Sequence, residues 1–287
     1  MSKPKYPRFI LNVRCPDQRG IVAAVSQFLF ERGANVIDSQ QFGDSTKQEF
    51  FLRIYFSSEQ NHTLEQFREG FAAIADKFGM DANFYDAEAK TRTLIMVSKF
   101  GHCLVDLLYR DRIGALPIQV VGIVSNHREF ADVAAAHGVP FHYLPVTPDN
   151  KKEQEAALLR LVDERHVDLV VLARYMQVLS EDLCNALSGR CINIHHSFLP
   201  SFKGAGPYSQ AHARGVKLIG ATAHYVTSDL DEGPIIEQGV ERVTHALSPG
   251  DFAAIGRDIE AAVLARAVKW HCEHRILLDG RRTVVFS

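Results

Sequence analysis

The chain has 287 residues, more than one hydrophobic core ordinarily organises, so two domains or one large α/β unit is expected and a lone small module is excluded. Apolar residues make up 46% and charged residues 23%, the balance of a globular chain rather than a disordered one. Lys and Arg number 32 against 34 acids, a net charge of -2, which argues against a general grip on nucleic acid.

No run approaches the roughly 20 unbroken apolar residues of a membrane span, and Met1 to Arg8 is polar and proline-bearing rather than a signal peptide. A cytoplasmic protein without membrane contact is expected. Cys15, Cys103, Cys184, Cys191 and Cys272 are scattered with no CxxC pair, which predicts buried free thiols in place of a zinc knuckle or redox dithiol.

Tyr6 to Cys15 alternates as a half-buried strand does, and CPDQRG supplies a turn. Ile21, Val25, Phe28 and Leu29 follow at helical spacing, with Gly33 placed as a left-handed stop. Residues 35–42 and 49–56 read as strands joined through GDSTK into a hairpin. Leu64, Phe67, Phe71, Ile74 and Phe78 outline a second helix ended by Gly79, and MDANFYD is a last strand. The order β-α-β-β-α-β is the ferredoxin-like split arrangement, a sheet with both helices on one face.

With those residues laid out, CPDQRGIVAAVSQFLFERGANV resembles ACT domains. The resemblance implies a regulatory domain over 1–86 that pairs in a homo-oligomer, a dimer or tetramer, and takes an amino-acid effector, methionine or glycine. Asp17, Gly20 and Asn35 are the candidate effector residues, because a helix N-terminus and its turn offer free backbone donors to a carboxylate. A packing module that binds nothing is the alternative.

Residues 87–92 read as a polar linker, after which TLIMVSK, IQVVGIVSN, FHYLPV and VDLVVLAR give near-continuous apolar runs separated by helical segments. Such runs suit parallel strands buried on both faces, so 93–287 is expected to form a doubly wound, mainly parallel sheet whose ligands sit beyond the carboxyl ends of its strands.

Two stretches carry chemistry. In CINIHHSFLPSFKGAGPYSQAHARG, Cys191 to Ile194 extends a strand, and Pro200, Gly204 and Gly206 impose an irregular loop. Asn193 and His195 are two apart and face one side of an extended chain, where an amide can stabilise an oxyanion while an imidazole transfers a proton. In IGATAHYVTSDLDEGPII, a strand over 219–226 and a polar loop over 227–233 present Asp229 and Asp231 at a strand end, where a carboxylate can orient an imidazole or hold a water. Each has a plainer reading as a cap, turn acid or backbone-bonded histidine. The neighbours His195 and His196 point to opposite faces of a strand, and no metal-binding spacing exists, so no metal is expected.

NIHHSFLPSFKG and HYVTSDLDEGPII closely resemble the folate-dependent formyltransferase family, over roughly Thr93 to His271. The resemblance implies Asn193, His195 and Asp231 as the catalytic set with His224 beside it. It further implies a pocket for the pterin ring from Arg174, Tyr175, Met176, Gln177, Val178 and Leu179 together with the loop of Thr227, Ser228 and Asp229. Within the family, the bulky Phe100 and His102 of SKFGHCLVDLL provide poorly for a ribonucleotide phosphate, and the residues after Trp270 are too few for an RNA-binding domain. An ACT domain ahead of KFGHCLVDLL and HHSFLPSFKGA is similar to the formyltetrahydrofolate deformylase branch over essentially the whole chain. That branch implies 10-formyltetrahydrofolate as substrate, water as acceptor, no permanently bound cofactor, and formate released toward purine synthesis and one-carbon balance. Formyl transfer to an amine, or a non-catalytic amino-acid and folate sensor, are the alternatives.

Overall fold

The computed structural model describes residues 5–199 and 207–287, so the expectation of an irregular loop through Pro200, Gly204 and Gly206 lies outside the described residues. Two compact units form.

The first unit opens with β1 (Arg8–Pro16), α1 (Ile21–Glu31), β2 (Ala34–Asp44), β3 (Glu49–Ser58), α2 (Leu64–Phe78) and β4 (Asp81–Asp86), the order read from the sequence. Its antiparallel sheet runs β2-β3-β1-β4. Gly33 and Gly79 have φ of 59° and 63°, the left-handed conformation that stops each helix without a Cβ clash. Thr63 and Gln66 form a reciprocal capping box that starts α2. Phe28, Phe67, Phe71 and Phe84 interlock in the core, with ring centroids of Phe28 and Phe71 5.0 Å apart.

The second unit contains β5 (Thr91–Val97), α3 (His102–Arg112), β6 (Ile118–Ser125), α4 (Ala131–Ala136), β7 (Phe141–Tyr143), α5 (Lys151–Glu164), β8 (Leu169–Leu172), α6 (Glu181–Ala186), β9 (Cys191–His195), α7 (Pro207–Ala213), β10 (Leu218–Tyr225), β11 (Ile235–Arg242) and α8 (Pro249–Cys272). Its seven-stranded sheet is ordered β11-β10-β9-β8-β5-β6-β7. The five strands from β9 to β7 are parallel, and β10 and β11 continue the sheet antiparallel. Leu94 and Met96 of β5 share a core cluster with Leu158, Leu161 and Val162 of α5, while α8 lies along β9, β10 and β11 and against α3.

The linker and the end of the second domain both differ from the expected boundaries. β5 begins at Thr91, inside the 87–92 segment, because Thr91 N–H already donates to Pro117 C=O. Residues 273–279 and 283–287, assigned from the sequence to the second domain, belong instead to the first unit. The reason is packing: β12 (Ile276–Asp279) and β13 (Arg282–Val285) form a hairpin, Leu277 and Phe286 cover Phe51, and the buried Arg53 guanidinium donates to the carbonyls of Glu273 and His274. No apolar periodicity distinguishes this tail from an extra strand pair of the larger sheet. All five cysteines are buried and free. No helix among the described residues is long and apolar enough to cross a membrane.

Candidate active site

The antiparallel pairing of β9 with β10 sets His224 opposite Asn193 and Thr222 opposite His195. Side chains two apart share a face, so all four project from one side of the sheet. The Thr222 hydroxyl donates to Ser197 C=O and accepts from Leu199 N–H, which ties down the chain leaving β9.

The loop after β10 folds back over this face. Gly233 permits the return: a Cβ there would fall on the Tyr225 carbonyl oxygen, immovable backbone within the sheet. Asp231 has φ 57°, an uncommon conformation for a non-glycine residue and one that aims its carboxylate back at β9 and β10. Its Oδ2 lies 3.3 Å from His195 Nδ1, and its Oδ1 lies 3.7 Å from His224 Nε2. The contact with His195, above all, holds the Asp231 carboxyl far below the usual carboxylate range against the opposing effect of burial, so it stays ionised.

His224 orients Asn193. Its Nδ1 lies 2.9 Å from Tyr225 C=O, which assigns the proton to Nδ1 and leaves the Nε2 lone pair to accept from Asn193 Nδ2–H at 3.2 Å. Asn193 then keeps a second N–H for another acceptor. His195 Nε2, buried, has no hydrogen-bond partner among the described residues. An orientated amide, an imidazole with one committed and one open nitrogen, and an ionised carboxylate therefore meet at one point.

These groups border a cleft of about 250 Å³. Arg174 to Leu179 and Thr227, Ser228 and Asp229 line it too, so every residue expected at the substrate pocket reaches one cavity. Ser98 organises the first segment: its N–H donates to Arg174 C=O and its hydroxyl accepts from Met176 N–H. Met176 and Val178 are exposed apolar side chains on the cleft wall, suited to cover a flat ring.

The three residues expected to hold an effector do not converge. Asp17 and Gly20 lie in the turn beyond Pro16, which pairs with Glu49, whereas Asn35 pairs with Ser57 at the Arg8 end of the same strands. The eight strand positions between Arg8 and Pro16 span about 26 Å at ~3.3 Å each, so within one chain Asn35 is removed from that group. The cause is α1, which starts beside Gly20 and carries the chain back along the sheet.

Sequence reasoning missed a buried cluster behind the cleft wall. Glu260 on α8 is 1% exposed; Tyr208 O–H donates to its Oε1 at 2.6 Å, His102 Nε2 bonds its Oε2 at 2.8 Å, and Arg174 Nε lies 3.4 Å from Oε2. Burial alone would raise the Glu260 carboxyl, but these partners together hold it below its ordinary value. Gly256, one turn before, leaves the space that the Tyr208 ring occupies. The signal was present: Gly256, Glu260, Val263, Leu264 and Ala267 are buried at helical spacing, and one of them is charged. His102, Cys103 and Glu260 bring potential metal-ligand atoms within 4.8 Å of one another. The guanidinium beside the same carboxylate disfavours a cation there, and hydrogen bonds account for the imidazole and carboxylate without one.

Residues 91–268 match the Formyl transferase family and residues 9–69 match the ACT domain family. Formyltetrahydrofolate deformylase of Corynebacterium sp. (strain P-1) is 50% identical over 279 residues, covering 97% of this chain and 98% of that protein. The chain belongs to the formyltetrahydrofolate deformylase family. The crystal structure of formyltetrahydrofolate deformylase from Burkholderia mallei superimposes with a TM-score of 0.93 at 51% identity, covering 98% of this chain and all of that one. Glycinamide ribonucleotide transformylase 1 from Symbiobacterium toebii, 30% identical, covers 71% of this chain with a TM-score of 0.65, a likeness limited to part of the chain.

Proposed function

We propose that the chain hydrolyses 10-formyltetrahydrofolate to tetrahydrofolate and formate, with Asn193, His195 and Asp231 as the catalytic set. The observation that carries this assignment is the 3.3 Å contact of His195 Nδ1 with Asp231 Oδ2, which leaves His195 Nε2 open. Asp231 orients the ring and favours the charge it gains on taking a proton, as a carboxylate does in a hydrolytic triad.

The steps follow from that geometry. A water attacks the formyl carbon while His195 Nε2 takes its proton, and the carbonyl oxygen becomes an oxyanion that accepts from the spare Asn193 N–H. Collapse breaks the C–N10 bond, His195 returns the proton to N10, and the formic acid released ionises to formate. Atoms and charge balance with one water consumed and one proton released. Because Asp231 is held so far below the usual range, it is a weak base, and proton acceptance falls to His195. The folate ring would lie against the apolar wall of Met176 and Val178 and the 227–229 loop. Formate release measured without any amine separates hydrolysis from transfer, and one incubation with stoichiometric substrate separates either from a sensor. Absence of formate in both overturns the reading.

The same reading includes a cytoplasmic location, a homo-oligomer and amino-acid control through the first unit. The turn of Asp17 and Gly20 supports it: Gly20, at φ 95°, opens the 11-residue α1, whose first N–H groups lack helical partners. Titration with glycine and with methionine tests it, with unchanged rates as the adverse result.

A further inference from the structure

We infer that the Arg174 side of the cleft is a binding site for a small carboxylate, and that formate, once cut from the folate, rests there before it leaves. The inference rests on the hydrolytic reading above and adds a site to it. Hydrolysis creates an anion beside the Asp231 carboxylate, with Asp229 also on the wall. Coulomb repulsion drives the product away from these acids. Among the described lining residues, Arg174 is the one lysine or arginine.

Its donors are available. The Arg174 side chain is 10% exposed, and Nε and Nη1 have no hydrogen-bond partner among the described residues. The nearest acid, Glu260, spends its oxygens on Tyr208 and His102 at 2.6 and 2.8 Å, and its 3.4 Å approach to Arg174 Nε is an ion pair without a hydrogen bond. A buried guanidinium with idle N–H groups is costly unless an anion completes it. Because Nε and Nη1 are buried, an anion reaches them only when the guanidinium turns toward the cleft that Arg174 lines. The φ of 66° at Arg174, pinned by Ser98, directs the side chain away from the run that continues to Leu179, toward Phe100 and Glu260. Glu260 is thus a positioning residue for the guanidinium.

The test is inhibition of the full-length protein by sodium formate at constant ionic strength, with chloride as comparator and tetrahydrofolate inhibition measured in parallel. Arg174→Gln is expected to weaken formate inhibition about tenfold or more while tetrahydrofolate inhibition changes far less, and Arg174→Lys, which keeps the charge but loses the fork, to fall between. Equal formate inhibition in parent and variants overturns the site, as does chloride matching formate, which would mean an adventitious ion only. Parallel loss of formate and tetrahydrofolate affinity also overturns it and gives Arg174 to the folate. Saturation transfer to the formate proton reads binding without turnover, so a parent that releases no formate would sink the hydrolytic reading while this readout still decides the anion site.

Discussion

His195 Nδ1 and Asp231 Oδ2 lie 3.3 Å apart, although one ends a parallel strand and the other sits in a loop beyond the next strand. The contact fixes which imidazole nitrogen is spent and which is free. Asp231→Asn keeps the volume but removes the charge that supports a protonated ring. It is expected to lower the single-turnover rate of formate release by about a thousandfold or more with the fold intact. A loss under tenfold would remove Asp231 from the chemistry.

Asn193 is predicted to act only as charge develops on the formyl oxygen. Asn193→Ala should therefore reduce kcat by about a hundred- to a thousandfold with little change in KM. His224→Phe, which cannot accept from Asn193 Nδ2, should reduce kcat in the same direction but less. A KM effect without a kcat effect in either variant would point to substrate binding instead.

Gly233→Ala tests the loop rather than the chemistry. The added methyl meets the Tyr225 carbonyl, so the loop must shift and carry Asp231 off His195. Activity is expected to fall by at least about a hundredfold, because misplacing a reacting group by roughly 1 Å has that effect. Urea unfolding should show a smaller disturbance, since residues 227–230 of the loop that must shift are exposed. Full activity would mean that the Asp231 position is not what the reaction requires.

Buried histidines set an acid limit on stability. His271, with Tyr225 O–H 2.7 Å from its Nδ1, is pushed down to about 4 by burial, and His196 is likewise pushed to about 4 by burial, then by Arg174 and His195. Both stay neutral in the fold and protonate near 6.5 once unfolded. Between those values the unfolded chain holds the extra protons, so stability is complete above about pH 6.5 and falls as pH drops toward 4. For His271 the loss is up to about 3 kcal/mol. Urea unfolding at pH 7 and pH 5 should show it, and His271→Gln should flatten the difference. An unchanged difference would exclude His271 as its source.

Local patterns carried much of this molecule. Gly33 and Gly79 stop helices at the places their sequence positions imply, because a left-handed stop is a property of one residue and its immediate neighbours. The Asn193 and His195 pair was equally legible, since the two-residue period of a strand needs no partner to put them on one face. Asn35 shows the opposite case: it looked close to Asp17 and Gly20 in order, yet α1 carries it to the far end of the sheet. The tail after His274 was misplaced for the same reason, because which apolar surface a short hairpin covers depends on surfaces that other parts of the chain create.

By itself the sequence determined the order of the elements through the first unit, the alternation of strand and helix in the second, and the shared strand face of Asn193 and His195. Those follow from periodicity, turn residues and side-chain chemistry, all of them short-range. Tertiary structure alone decided that His224 fixes the Asn193 amide, that Asp231 takes Nδ1 and leaves Nε2, and that Glu260, His102 and Tyr208 stand behind Arg174. Each of these is a distance of a few ångströms between residues far apart in the chain, fixed by strand register and helix packing rather than by any local preference.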